Sequence, residues 1–145
     1  MQKNLSGQKH SRQQDLPRGL RNRNPLNIRI GNVWLGEEPN PTDPDFEQFV
    51  AMEYGVRAAF VLLRRYIRHY KRTTIRAIIK AWAPANENNV DVYVATVAWQ
   101  SKIDPDETLD YGNVEQMIAL FQGMCLVENG RTLDEKIVRK GYDLT

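Results

Sequence analysis

The sequence has a single cysteine, Cys125, and two histidines, His10 and His69. One cysteine forms no disulfide within the chain and supplies no thiolate cage for a metal. The histidines stand alone, with no His-Glu-x-x-His spacing, so a metal mechanism has no motif behind it. A catalytic thiol needs a base beside it, and neither histidine is near Cys125 in sequence. Cys125 lies in the apolar run 118–127 and reads as a small buried hydrophobe. No run reaches the roughly 18 apolar residues of a transmembrane helix. The charged N-terminus is not followed by an apolar stretch, so no secretory signal is expected. A Gly-rich phosphate loop and a Gly-x-Ser-x-Gly elbow are also missing.

The chain has 145 residues, 41% apolar and 26% charged, the make-up of one ordinary globular domain. Such a chain hides roughly two-thirds of its unfolded surface. The net charge of +2 conceals strong segregation. Residues 1–23 carry six bases (Lys3, Lys9, Arg12, Arg18, Arg21, Arg23) against one acid, Asp15. Residues 37–53 carry six acids and no base: Glu37, Glu38, Asp43, Asp45, Glu47 and Glu53. Residues 57–80 carry eight bases and no acid: Arg57, Arg64, Arg65, Arg68, Lys71, Arg72, Arg76 and Lys80. A basic face steers a protein toward polyanions, here nucleic acid or acidic envelope polymers. The plainer account is a set of solvated helix faces partly paired with the acidic segment. No nucleic-acid-binding motif accompanies the charge, so a nucleic-acid partner rests on the basic segments alone.

Residues 1–17 read as a flexible basic arm and 18–145 as a single domain. Asn24-Pro25 signals a turn, and Leu26 to Ile30 alternates apolar and polar like a half-buried strand. Gly31-Asn32 reads as a turn, Val33 to Leu35 as a second extended piece, and Phe46 to Phe49 as a third strand. Residues 36–45 hold three prolines and form a loop. Val56, Phe60, Leu63 and Ile67 recur at helical spacing and predict a helix from Met52 to Tyr70. Thr73-Thr74 caps a second helix, Ile75 to Trp82, which Pro84 stops. Asn86 to Asn89 caps a third, Val90 to Ser101. After an acidic loop at 104–112, Val114 to Val127 is the most apolar helix. Leu133 to Lys140 is the last, with Thr132 as cap and Glu135 three residues on. The fold class is mainly α, strictly α+β, with a small β-element near the N-terminus.

Two stretches carry a resemblance. One is Arg18-Gly19-Leu20-Arg21-Asn22-Arg23-Asn24-Pro25-Leu26-Asn27-Ile28-Arg29, followed by Trp34-Leu35-Gly36. The other runs from Phe46-Glu47-Gln48-Phe49 through Glu53-Tyr54-Gly55-Val56-Arg57-Ala58 to Thr74-Ile75, Trp82-Ala83-Pro84, Glu87-Asn88 and Tyr93. Together they resemble a phage and prophage lysozyme-like family, related to lytic transglycosylases and labelled as phage structural proteins or virion-associated lysins. The match covers residues 18–101; residues 102–145 carry no motif. The resemblance implies a lysozyme-like helical domain that acts as a peptidoglycan glycosidase or lytic transglycosylase without a cofactor. Its partners would be bacterial peptidoglycan and other virion proteins. It would reside in the host cytoplasm during synthesis or in the virion. The alternative is a non-catalytic virion or wall-binding protein on the same fold.

Glycoside cleavage needs a carboxyl as general acid and usually a second carboxylate. In many lysozyme-like enzymes that acid ends a helix ahead of the β-element, yet residues 1–25 contain no glutamate. Within the motifs the candidate acids are Glu87 and Glu53. Glu53 stands at a helix start, where the dipole favours its charged form. Asp43 and Asp45 are candidates for the second carboxylate. Asn24 and Asn27 beside the turn, Trp34 and Trp82 by loops, and Tyr93 are candidates for sugar contact; core packing is the competing account of both tryptophans. Gly55 early in a helix costs about 1 kcal/mol against alanine, which implies close backbone approach. Arg57 beside it is placed to pair with an acid inside the fold.

Overall fold

The computed structural model describes residues 15–83 and 89–145. Within them the helices are α1 (Arg18–Arg21), α2 (Met52–Arg68), α3 (Ile75–Trp82), α4 (Val90–Ser101), α5 (Val114–Asn129) and α6 (Glu135–Asp143). Local chemistry sets most of their ends. Thr74, Asn89, Asn113 and Asp134 each cap a helix by accepting a hydrogen bond from an amide in its first turn. Lys102 and Gly130, both left-handed, close α4 and α5.

Several boundaries differ from expectation: α5 runs on to Asn129 rather than Val127, and α6 spans Glu135–Asp143 rather than Leu133 to Lys140. α2 stops at Arg68, and the chain turns away through Lys71 at φ +57°. α6 begins after Asp134, whose carboxylate takes the Lys136 amide, so Thr132 is not its cap.

The expected strands do not form. Residues 24–50 make a looped layer with two isolated antiparallel bridges, Arg29 with Phe46 and Glu37 with Phe49. Left-handed Asn27 (φ +53°) interrupts the alternating run 26–30. Side chains take up backbone groups that a ladder would otherwise pair. The Asp43 carboxylate accepts from the Asp45 and Phe46 amides, and the Gln48 carbonyl accepts from Thr42 and Asp43. Among the described residues the architecture is therefore mainly helical, without a sheet.

The acidic segment folds back on α1 rather than on the bases of α2. Arg18 holds Asp43 through both carboxylate oxygens at 2.6 and 2.7 Å and reaches Asp45 at 3.2 Å. Beside that guanidinium, Asp43 is held well below the usual carboxylate range.

The core sits between α2, α4, α5 and α6. Val56, Phe60, Leu63 and Ile67 of α2 are all buried, as their spacing predicts. Phe60 lies 5.2 Å from the Phe121 ring of α5 and edge-on to Tyr142 of α6 at 5.3 Å. Cys125 is fully buried on α5, and burial pushes its thiol up to about 11.

Gly55 makes the close approach that its helical position implied. A Cβ there would stand 1.8 Å from the Arg23 carbonyl oxygen, so the first turn of α2 lies directly against the turn after α1. Among the described residues Arg57 is in no salt bridge with an acid; its Nε donates to the Leu144 carbonyl at 3.3 Å.

Candidate functional site

The turn that follows α1 is built from asparagine amides. Asn24 is wholly buried. Its Nδ2 donates to the Ile28 and Glu47 carbonyls at 2.9 and 3.0 Å, and its Oδ1 accepts the Ile28 amide at 2.9 Å. Three bonds from one side chain clamp the turn to the loop that carries Glu47. Asn24 therefore acts as a brace inside the fold.

Asn27 sits at the apex in the left-handed region, which asparagine tolerates better than most residues. Strain of this kind concentrates at functional sites. Its Nδ2 donates to Oε1 of Glu128 at 2.8 Å, across 101 residues of sequence. The other oxygen of Glu128 accepts the Tyr93 hydroxyl at 2.8 Å. The next residue, Asn129, donates to the Pro25 carbonyl at 2.7 Å. The last two residues of α5 are thus both fastened to the turn at 24–27. Gly19 permits this, because a Cβ there would meet Asn129 Oδ1 at 2.6 Å and Asn27 Oδ1 at 2.9 Å.

Glu128 and Asn27 open onto a cleft of about 430 Å³, within the size range of small-ligand sites. Its lining comes from the looped layer (Leu26, Ile28, Arg29, Asn32 and Phe46) and from α2 and α3 (Leu62, Tyr66 and Trp82). Tyr66 and Trp82 meet edge to face at 5.6 Å. Arg18 and Arg29 stack on Phe46 at 4.6 and 4.8 Å. The Tyr93 hydroxyl is raised well above its ordinary value, first by burial and then by the Glu128 charge, so it stays protonated and donates. Burial likewise raises Tyr66, against the pull of nearby Arg72 and Arg65. The cleft therefore presents a doubly held carboxylate, an aromatic wall and the guanidinium of Arg29. Among the described residues no group of three or more His, Cys, Asp or Glu side chains is placed to hold a metal ion. No helix among them is long and apolar enough to cross a membrane.

The structure gathers some of the sequence candidates here and disperses others. Asn27 and Trp82 line the cleft, and Tyr93 braces its carboxylate. Trp34 is buried, 8% exposed, and is not among the lining residues. Glu53 also lies outside the lining and approaches Lys140 at 3.5 Å. Asp43 is engaged by Arg18, and neither it nor Asp45 lines the cleft. Glu87 lies outside the described residues.

The residue that sequence reasoning missed is Glu128. It falls in the stretch without a motif, at the end of an apolar helix. One signal was present there. An acid in the last turn of a helix opposes the dipole, and α5 has no base in that turn to offset it. A local inconsistency of this kind often marks a site.

No family model matches the chain. Protein P5 of Pseudoalteromonas phage PM2 is 38% identical to it over 133 residues, which cover 87% of this chain and 80% of that protein.

Proposed function

The chain belongs to the same family as Protein P5 of Pseudoalteromonas phage PM2, and on the geometry of its cleft we propose that it is a lysozyme-like glycan-cleaving protein acting on bacterial peptidoglycan. The observation that carries the reading is Glu128, fixed by Asn27 and Tyr93 on a cleft walled by Tyr66 and Trp82. Aromatic faces stack on sugar rings, and amides such as Asn27 and Asn32 bond sugar hydroxyl and acetamido groups.

In this reading Glu128 is the general acid. It delivers its proton to the glycosidic oxygen as the bond between the anomeric carbon and that oxygen breaks. Glu128 is the single acid among the described lining residues. One carboxyl is sufficient when a hydroxyl of the substrate itself attacks the anomeric carbon and returns its proton to Glu128. That is the course of a lytic transglycosylase, and its product is an internal anhydro sugar.

A second reading, a non-catalytic virion or wall-binding relative, is favoured by one observation. Both oxygens of Glu128 already accept hydrogen bonds from the fold, as those of a purely structural carboxylate would.

Release of soluble fragments from purified peptidoglycan decides between the two. The wild type should release fragments whose masses show the anhydro end. Glu128→Gln should abolish release with the fold intact, whereas Glu53→Gln should retain it. Glu87→Gln belongs in the same series. A well-folded wild type that releases nothing from any wall type overturns the enzyme reading. Loss of release on Glu87→Gln with retention on Glu128→Gln overturns the assignment of the acid.

A further inference from the structure

Helix α4 carries apolar residues on every side. Across Val90–Ser101 its only charged residue is Asp91. Helices of that make-up are normally buried all round. Here only one side is covered. Tyr93, Val94 and Val97 are buried, and Val97 packs so closely on α5 that a Cβ at Gly123 would stand 2.9 Å from its Cγ1. The other side is bare. Val92 is 60% and Trp99 75% exposed, and Ala95 between them is exposed as well. Trp99 is the most exposed aromatic side chain among the described residues. None of the three lines the cleft.

Spacings of three and four residues place Val92, Ala95 and Trp99 on one stripe, the pattern of a helix that packs along another helix. The stripe is complementary to itself. A two-fold axis between Ala95 and Thr96 would lay an antiparallel copy across it. Trp99 then faces Val92 of the second copy, and Ala95 faces Thr96. Large meets small at both ends, and small meets small at the centre, where the helices come closest.

The charges agree with that direction. Asp91 lies in the first turn of α4 and Lys102 closes its other end. Both are exposed, and among the described residues neither is in a salt bridge. Arg76 of α3 senses the Asp91 charge but is held by Asp106 at 2.9 Å. An antiparallel pair brings each Lys102 beside the Asp91 of the other copy, whereas a parallel pair sets like charges together. The loop after Lys102 carries Asp104, Asp106 and Glu107, so an anionic lipid surface is repelled from this end of the stripe.

We propose that the outer face of α4 is the contact between two copies of this chain, paired antiparallel through Val92, Ala95 and Trp99, with Asp91 and Lys102 fixing the direction. The pairing does not depend on the glycan reading and uses a face apart from the cleft.

Sedimentation equilibrium of the full chain over about 1–100 μM tests it. The wild type should pass from monomer to dimer within that range. Trp99→Gln, at an exposed position, should weaken the dimer about tenfold or more with the helical circular dichroism unchanged. Asp91→Lys and Lys102→Glu should each weaken it about fivefold at low salt. The double variant Asp91→Lys/Lys102→Glu should return to wild-type affinity, because the pair is then reversed rather than broken.

A wild type that stays monomeric at every concentration overturns the pairing. Uptake of that monomer by zwitterionic phosphatidylcholine vesicles then assigns the face to lipid. A dimer indifferent to Trp99→Gln places the contact elsewhere and overturns it too. A dimer that Trp99→Gln breaks and the double reversal fails to restore overturns the antiparallel arrangement.

Discussion

Gly55→Ala sets two effects against each other. In an isolated helix the change stabilises by about 1 kcal/mol, because alanine is the better helix former. In this fold the new methyl would stand 1.8 Å from the Arg23 carbonyl oxygen and 3.2 Å from Pro25 Cδ. Real Cβ atoms essentially never come within 3.0 Å of another heavy atom, so the turn or the helix must move by more than an ångström. Overpacking of this kind costs about 3 kcal/mol or more when the neighbour is backbone. The net expectation is a loss of about 2 kcal/mol, or a fall of about 4–8 °C in melting temperature for a chain of this size. The same shift displaces the turn that presents Asn27 to Glu128, so on the glycan reading proposed above any glycan binding should weaken along with stability. Thermal unfolding of Gly55→Ala beside Gly31→Ala checks this, since nothing lies within 4 Å of a Cβ at Gly31. A Gly55→Ala protein that melts above the wild type would refute the reasoning, because helix propensity alone would then have decided the outcome.

Glu47 offers a test of opposite sign. It is buried beside Glu37 with one oxygen unpartnered, and burial followed by the Glu37 charge raises it above its ordinary value of 4.5. A carboxyl raised in the folded state loses stability as pH climbs from the unfolded value through the folded one. Glu47→Gln should therefore be more stable than wild type by about 1 kcal/mol at pH 7, with the advantage gone by pH 4; denaturant titrations at the two pH values show it. Tyr93→Phe strips Glu128 of a donor and should cost about 1–2 kcal/mol. If the glycan reading holds, it also lowers kcat while KM stays, and the pH profile of kcat moves. Cys125, fully buried with its thiol pushed up to about 11, should resist a thiol-specific reagent at pH 8 in the native protein and react at once in denaturant.

The helices were legible because their signals are local. The spacing of Val56, Phe60, Leu63 and Ile67 and the caps at Thr74 and Asn89 are written within a few residues of what they control. The strands were misread for a related reason. Leu26 to Ile30 has the right alternation, but alternation does not say whether a partner strand is available. Here side chains of Asn24, Asp43 and Gln48 satisfy the backbone instead. The motif residues at 18–55 turned out to be largely architectural. Gly19 and Gly55 permit close approach, Asn24 braces the turn, and Trp34 fills the core.

The sequence by itself determined a mainly helical chain, an asparagine-rich turn and the segregation of its charge. Those follow from periodicity, capping and composition, which act between neighbours. Only the tertiary structure decided which carboxylate meets that turn. Glu128 stands 101 residues from Asn27 and 35 from Tyr93. What makes it a candidate is the pair of donors and the cleft that packing brings to it, and no window of sequence around Glu128 contains either.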